Sequence, residues 1–294
     1  VTSVGCLAKT KDYLDLCKVM VSVFASLSAA VGLLLTGHSS VTKLPLLMAG
    51  VFLMGCGAGS LNHYQERSTD ALMARTAARP LPSGKIDPIQ ALSLSLGLIG
   101  TGYMVLFFTG SLAAPFWGLM AVFWYNGFYT WYKTKSAFAA VPGAFVGAIP
   151  PIIGWVAGGG ELCNPRLGVV CFLFFMWQVP HFLIHHLAFG KEYEKIGLPS
   201  LTAVFTKAQL SRLTFIWILA AAVSIQLFSL YGLVRSGPIR IALVAVSLWF
   251  TFKGASLLMG RGHPVYLHIF RCTNITMVAV ILLLVTDRCY RYIG

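Results

Sequence analysis

Nine stretches of predominantly apolar residues constrain this chain more than any other feature: 19–36, 44–62, 88–108, 114–132, 138–157, 167–188, 211–233, 238–258 and 266–286. About 20 such residues cross the hydrocarbon core of a bilayer as one helix, and lipid accepts only backbone whose polar groups are satisfied internally. The expected fold is therefore all-α, a polytopic membrane protein of nine transmembrane helices, read as a single domain over 1–294. Charged residues make up 11% of the chain, where a soluble protein carries about a quarter. Pro88 suits a first helical turn, and Gly110 and Gly237–Pro238 punctuate connections. The small residues Gly143, Ala144, Gly147 and Ala148 would let a second helix approach closely.

The formal charge of +13 raises the question of nucleic acid. The basic residues are divided among the connections between spans and form no single stripe, so the lipid bilayer is the expected partner and nucleic acid is not. Placing the N-terminus inside puts sixteen Lys and Arg on the cytoplasmic side and six outside, which with nine spans leaves the C-terminus outside. Residues 1–18 are polar and lack an apolar core segment, so no cleavable signal peptide or transit peptide is expected, and a bacterial inner membrane is favoured. The seven cysteines are scattered without a CxxC and read as packing residues.

The longest strongly polar run is Asn62 to Lys85. Asn62, Glu66 and Asp70 are spaced four and four, so a helix continuing through them projects all three from one face. Two carboxylates and an amide oxygen offer the hard ligands that suit Mg²⁺. Arg67, Arg75, Arg79 and Lys85 follow directly. Acids that hold a divalent cation beside several basic groups match the needs of a diphosphate. A solvated loop that only sets topology is the competing reading. A second polar loop, Gly190 to Ser200, falls on the same predicted side and holds Glu192, Tyr193 and Glu194. Glu192 and Glu194 are two apart and do not share a helix face, and Glu192 is favoured as the ligand. A charged surface loop is again the alternative.

Ahead of that loop, His181 and His185 lie four apart within an apolar span and are candidates for a metal or a porphyrin iron. The competing reading is a pair of hydrogen-bonded structural histidines. His63, beside the first motif, is a candidate proton shuttle. Lys133 after the fourth span would meet a phosphate from the opposite wall, or simply snorkel to the interface. Phe123, Trp124, Tyr125, Phe128 and Tyr129 suit an apolar pocket whose ring faces stabilise a cation.

These motifs resemble a known family. Asn62-x3-Glu66-x3-Asp70, then Met73-x-Arg75-Thr76 and Arg79-Pro80-Leu81 with Gly84, resembles the first signature of the UbiA superfamily of intramembrane prenyltransferases, in the form of its heme-farnesylating (protoheme IX farnesyltransferase) branch. Asp12-Tyr13-Leu14 with Lys18 is similar to that branch's first helix. Gly143 with Gly147 to Pro151 and Gly154-Trp155 is similar to its fifth. Trp177 with Pro180-His181-Phe182 is similar to its sixth, and Glu192-Tyr193 with Gly197, Leu198 and Pro199 to its second acidic loop. The resemblance spans nearly the whole chain in order. Glu66 stands where many bacterial members have Asp and keeps the oxygens; Ser68 stands where a third acid is common and is not taken as a ligand. Tyr129 to Lys133 is one residue shorter than the branch pattern and gives the Tyr-x3-Lys of the wider superfamily.

The resemblance implies helices around a central cavity that opens to the cytoplasm and laterally to lipid. It implies transfer of a farnesyl group from farnesyl diphosphate to a vinyl group of heme b, with water added, giving heme O and diphosphate for terminal oxidase assembly, directly or through a heme A synthase. It assigns Asn62, Glu66, Asp70 and Glu192 to Mg²⁺. It assigns Arg75 and Arg79, with Lys133, Lys18, Lys85 and Tyr193, to the diphosphate, and makes His181 and His185 candidates for contact with the heme. Two alternatives stay open: an aromatic-acceptor prenyltransferase of quinone biosynthesis, and a non-catalytic heme carrier or assembly factor.

Overall fold

A computed structural model describes residues 2–37, 41–260 and 262–293, with side chains described for 9–37, 41–260 and 262–288. Arg261 and the side chains of Arg291, Cys6 and Cys289, which entered the charge and cysteine arguments, lie outside the described residues. Cys17, Cys56, Cys163, Cys171 and Cys272 are free thiols.

The chain is all helical, and no strand occurs among the described residues. In order the helices are α1 (Thr2–Leu16), α2 (Val19–Leu35), α3 (Leu44–Leu72), α4 (Pro88–Phe107), α5 (Ala113–Val122), a π-helical segment (Phe123–Tyr129), α6 (Thr130–Tyr132), α7 (Ala140–Gly143), α8 (Phe145–Ala157), α9 (Pro165–Lys195), α10 (Leu201–Val204), α11 (Lys207–Leu230), α12 (Gly237–Met259) and α13 (His263–Ile293). Local chemistry sets several starts. Asp87 caps α4 by accepting from the backbone of Ile89 and Gln90, with Pro88 in the first turn, and Asn164 and Pro165 repeat that arrangement for α9. Thr206 and Gln209 form a reciprocal capping box on α11.

The expected count of nine uninterrupted spans is corrected. Among the described residues seven helices are long and apolar enough to cross a membrane, or eight if the end of α1 and α2, bent by 48°, form one span. The bend falls at Lys18, whose φ of 47° is the one positive value outside glycine among the described residues. The predicted span 114–132 is also composite. Its middle turns are π-helical, with the Thr130 amide bonded to the Tyr125 carbonyl, so no single α-helix covers it.

Three long helices reach beyond the bilayer core. α3 has 29 residues and α9 and α13 have 31 each, about 44 Å and about 46 Å at 1.5 Å per residue, against a core of about 30 Å. α3 packs between α2 and α4, and α9 packs against α8, α11 and α13. α2 and α8 touch backbone to backbone. A Cβ on Gly32 would collide with the Pro151 carbonyl, and one on Gly154 with the Ala29 carbonyl, so both positions require glycine. One apolar cluster (Leu33, Leu47, Met54, Leu106, Ile153) joins α2, α3, α4 and α8, and a second (Trp155, Phe174, Trp177, Phe228, Leu284) joins α8, α9, α11 and α13. Leu96 and Met104 on α4, and Leu248 and Phe252 on α12, are exposed and face the lipid.

Candidate active site

A cavity of about 520 Å³ lies between α2, α3, the composite span, α8 and α9. Its two ends differ chemically because α3 runs along it. Val51 and Met54 line it first, and Asn62, Glu66 and Asp70 follow two to four turns later. Phe24, Val122, Val146 and Ile153 complete the apolar part. The result is one greasy compartment under one charged mouth.

The four-residue spacing places Asn62, Glu66 and Asp70 on one helix face, and all three line the cavity. Asn62 and Asp70 are only 2% and 1% exposed. Each acid carries its own cation. Glu66 is ion-paired with Lys133, and Asp70 Oδ2 accepts from Arg79 Nη1 at 2.7 Å. The Asn62 amide accepts from Lys18 Nζ at 2.5 Å and donates to Glu66 Oε1 at 2.6 Å and to Thr130 Oγ1 at 3.0 Å. The same lysine donates to the Tyr125 hydroxyl at 3.0 Å. Burial alone would lower the pKa of Lys133, just past the end of its span. The Glu66 carboxylate outweighs that and holds it above the usual lysine range.

The segment after α3 is folded, contrary to the solvated-loop reading. Thr76 is fully buried and donates from Oγ1 to the Asp70 carbonyl at 2.8 Å. Leu81 and Ile86 pack with Leu16 and Ala91 in a small apolar cluster beneath it. Backbone bonds from Ala77 to Met73, from Ser83 to Arg79 and from Lys85 to Pro80 make it a series of tight turns. These turns aim Arg75 and Arg79 into the cavity. Arg75 lies 4.9 Å over the Phe189 ring and has no carboxylate partner among the described residues.

Lys18, Tyr193, His181 and His185 also line the cavity. Not every predicted residue is brought there. The chain reverses at Gly84, with φ +72°, and Lys85 turns to Asp12 of α1 at 3.3 Å. Glu192 lies off the lining, with Oε2 buried and unpartnered. Glu194 is committed to Lys191 at 2.8 Å and to the Thr202 hydroxyl at 2.5 Å. His63 is buried outside the cavity, with Nδ1 unpartnered. Sequence reasoning missed Thr130, Gln178 and His186, which also line the cavity. Polar residues inside apolar spans were the signal available for them.

The donor set on α3 is two carboxylates and one amide oxygen, and no group of three His, Cys, Asp or Glu side chains placed to hold a metal occurs anywhere among the described residues, here included. This suits a hard cation that takes one or two protein carboxylates and completes its shell with water and phosphate oxygens.

The profile described as the UbiA prenyltransferase family matches residues 22–264. The chain belongs to the UbiA prenyltransferase family. The protoheme IX farnesyltransferase of Nitratidesulfovibrio vulgaris (strain DP4) is 34% identical over 251 residues, 85% of each chain. Among solved structures, the apo UbiA homologue from Aeropyrum pernix K1 superposes with a TM-score of 0.75 at 17% identity, covering 90% of this chain and 98% of that one. The UbiA homologue from Archaeoglobus fulgidus bound to GPP and Mg²⁺ gives 0.64 at 13% identity, covering 93% and 99%. At those identities the structures establish the UbiA fold and nothing finer. The UbiA match takes in both polar segments and leaves Lys18 just before it.

Proposed function

We propose that this prenyltransferase moves a farnesyl group from farnesyl diphosphate onto a vinyl group of heme b, with addition of water, giving heme O and diphosphate. The observation that carries this reading is the 34% identity, over 85% of both chains, to a protoheme IX farnesyltransferase. The cavity, with cations at one end and apolar walls at the other, supports a substrate that is a diphosphate at one end and hydrocarbon beyond.

In this reading Asn62, Glu66 and Asp70 hold Mg²⁺, and Glu192 supplies the second acidic group. Its unpartnered Oε2 supports it over the committed Glu194. When bound, the metal neutralises the diphosphate as a leaving group. Arg75, which has no carboxylate to satisfy, binds diphosphate oxygens, as do Arg79, Lys133 and Lys18 once the acids are otherwise occupied. The allylic C–O bond breaks with its electron pair leaving on the diphosphate. The vinyl π pair of heme b forms the new C–C bond, water captures the resulting cation, and a proton is released. Tyr125 and Tyr129 line the cavity, with Tyr129 stacked on Phe182 at 5.6 Å, and an aromatic lining favours a cation in a dry site. Residues 1–294 act as one domain, with the charged mouth and N-terminus cytoplasmic and the C-terminus outside a bacterial inner membrane. The excess of Lys and Arg on the mouth side supports that orientation.

The test is mass spectrometry of heme extracted after incubating purified protein with heme b, farnesyl diphosphate and Mg²⁺. Hydroxyethylfarnesyl heme that vanishes with EDTA and in Asp70→Ala is expected. Farnesyl diphosphate consumed with heme unchanged would replace the acceptor. Heme bound with no diphosphate released would make the protein a carrier.

A further inference from the structure

We propose that Asn274 is a positioning residue that fixes His181 as the ligand facing the iron of the porphyrin substrate, an inference that rests on the heme reading above. His181 on α9 lines the cavity, and its Nδ1 lies 3.0 Å from Asn274 Oδ1 on α13. An amide oxygen only accepts, so Nδ1 carries the proton and a neutral ring leaves the lone pair on Nε2. Nε2 takes no hydrogen bond among the described residues.

The ring is also packed against two tilted aromatic rings. Phe270, one turn before Asn274, sits 4.5 Å from it and Trp177 sits 5.2 Å from it. Trp177 is held in turn by donating Nε1 to the Thr273 carbonyl at 2.8 Å. Residues 270, 273 and 274 of α13 therefore grip one turn of α9 around His181, a residue of the cavity lining. The neighbouring histidines lack such a device. His185 has only ring contacts, with Phe189 and Tyr193 among them, and His186 leaves Nδ1 buried and unpartnered. A neutral amide polarises the Nδ1–H less than a carboxylate would, so the ring binds iron as a plain imidazole. That suits a heme that must leave as product.

The experiment titrates ferric heme b into the purified full chain in detergent and follows Soret absorbance and low-temperature electron paramagnetic resonance. Binding of a non-hydrolysable farnesyl diphosphate analogue reports an intact cavity. A histidine-ligated spectrum is expected from wild type and from His185→Ala, and its loss from His181→Ala. Asn274→Leu should weaken heme binding about tenfold and give a heterogeneous spectrum, the usual size of a lost partner behind a ligating histidine. Asn274→Asp should restore a single spectrum and move the iron reduction potential negative, because a carboxylate makes the ring a stronger donor. That arm decides the matter if Asn274→Leu does not fold. Wild-type spectrum and affinity in Asn274→Leu, an unmoved potential in Asn274→Asp, or histidine ligation surviving His181→Ala would overturn the proposal. Analogue binding with no heme binding in wild type would overturn the heme reading itself, and this inference with it.

Discussion

Lys133→Met should tighten metal binding in the absence of substrate while weakening diphosphate binding in the presence of metal. The Glu66 carboxylate is already satisfied by Lys133 and by the Asn62 amide. A cation arriving at Glu66 must displace that lysine. The two side chains are 24% and 12% exposed, so the pair is poorly screened by water and its strength is not the near-zero value of a surface bridge. A hydrogen bond to a charged group contributes about 1.5–3 kcal/mol. Removing the competing lysine should therefore improve the Mg²⁺ dissociation constant by about 10- to 150-fold. The freed lysine is also what a diphosphate would receive, so affinity for farnesyl diphosphate with Mg²⁺ present should fall by a similar factor. Calorimetric titration of Mg²⁺ into detergent-solubilised wild type and variant measures the first effect, and titration of the diphosphate measures the second. Unchanged or weaker metal binding in Lys133→Met would refute the idea that acid and cation exchange partners when substrate arrives.

Three further outcomes follow from contacts already described. Arg75→Ala should weaken farnesyl diphosphate binding by about 1.5–3 kcal/mol, read by calorimetry, because this guanidinium has no carboxylate to satisfy and its natural partner is an anion. Thr76→Val removes the hydroxyl that ties the turns after α3 to the Asp70 carbonyl; a loss of about 1 kcal/mol should raise KM for farnesyl diphosphate roughly fivefold with kcat little changed. Gly154→Leu drives a side chain into the Ala29 carbonyl and should cost about 3 kcal/mol or more, seen as loss of the monodisperse peak in size-exclusion chromatography of solubilised protein.

The part of the site that the sequence disclosed is the part governed by helix period. Asn62, Glu66 and Asp70 needed only a continuous α3 to share a face, and α3 is continuous. Arg75 and Arg79 lie beyond the helix, where spacing carries no direction; their aim depends on Thr76 and on turns that composition does not reveal. Lys85 reads like its basic neighbours, yet Gly84 sends it to Asp12. The bend before α2 was hidden because Leu16, Cys17, Lys18 and Val19 include neither Gly nor Pro. Its stability comes from tertiary contacts of the Lys18 amine, which offset the roughly 1–2 kcal/mol that a left-handed residue costs. The cavity role of Thr130 needed knowledge of which face a non-α turn presents. Apolar periodicity located nine stretches but could not say that one of them is wound differently.

That different winding bears on how this span tolerates changes of length. Inserting or deleting one residue in an α-helix turns everything downstream by about 100° and would swing Lys133 away from Glu66. Wide turns such as those over Phe123–Tyr129 hold an extra residue without that rotation, because the surplus bulges outward while the flanking α-helical segments keep their phase. The composite span can therefore lose or gain a residue and still deliver its lysine to the same acid. Relatives whose spacing here differs by one position are best superposed through the lysine and the helix before it, with the gap placed inside the aromatic run.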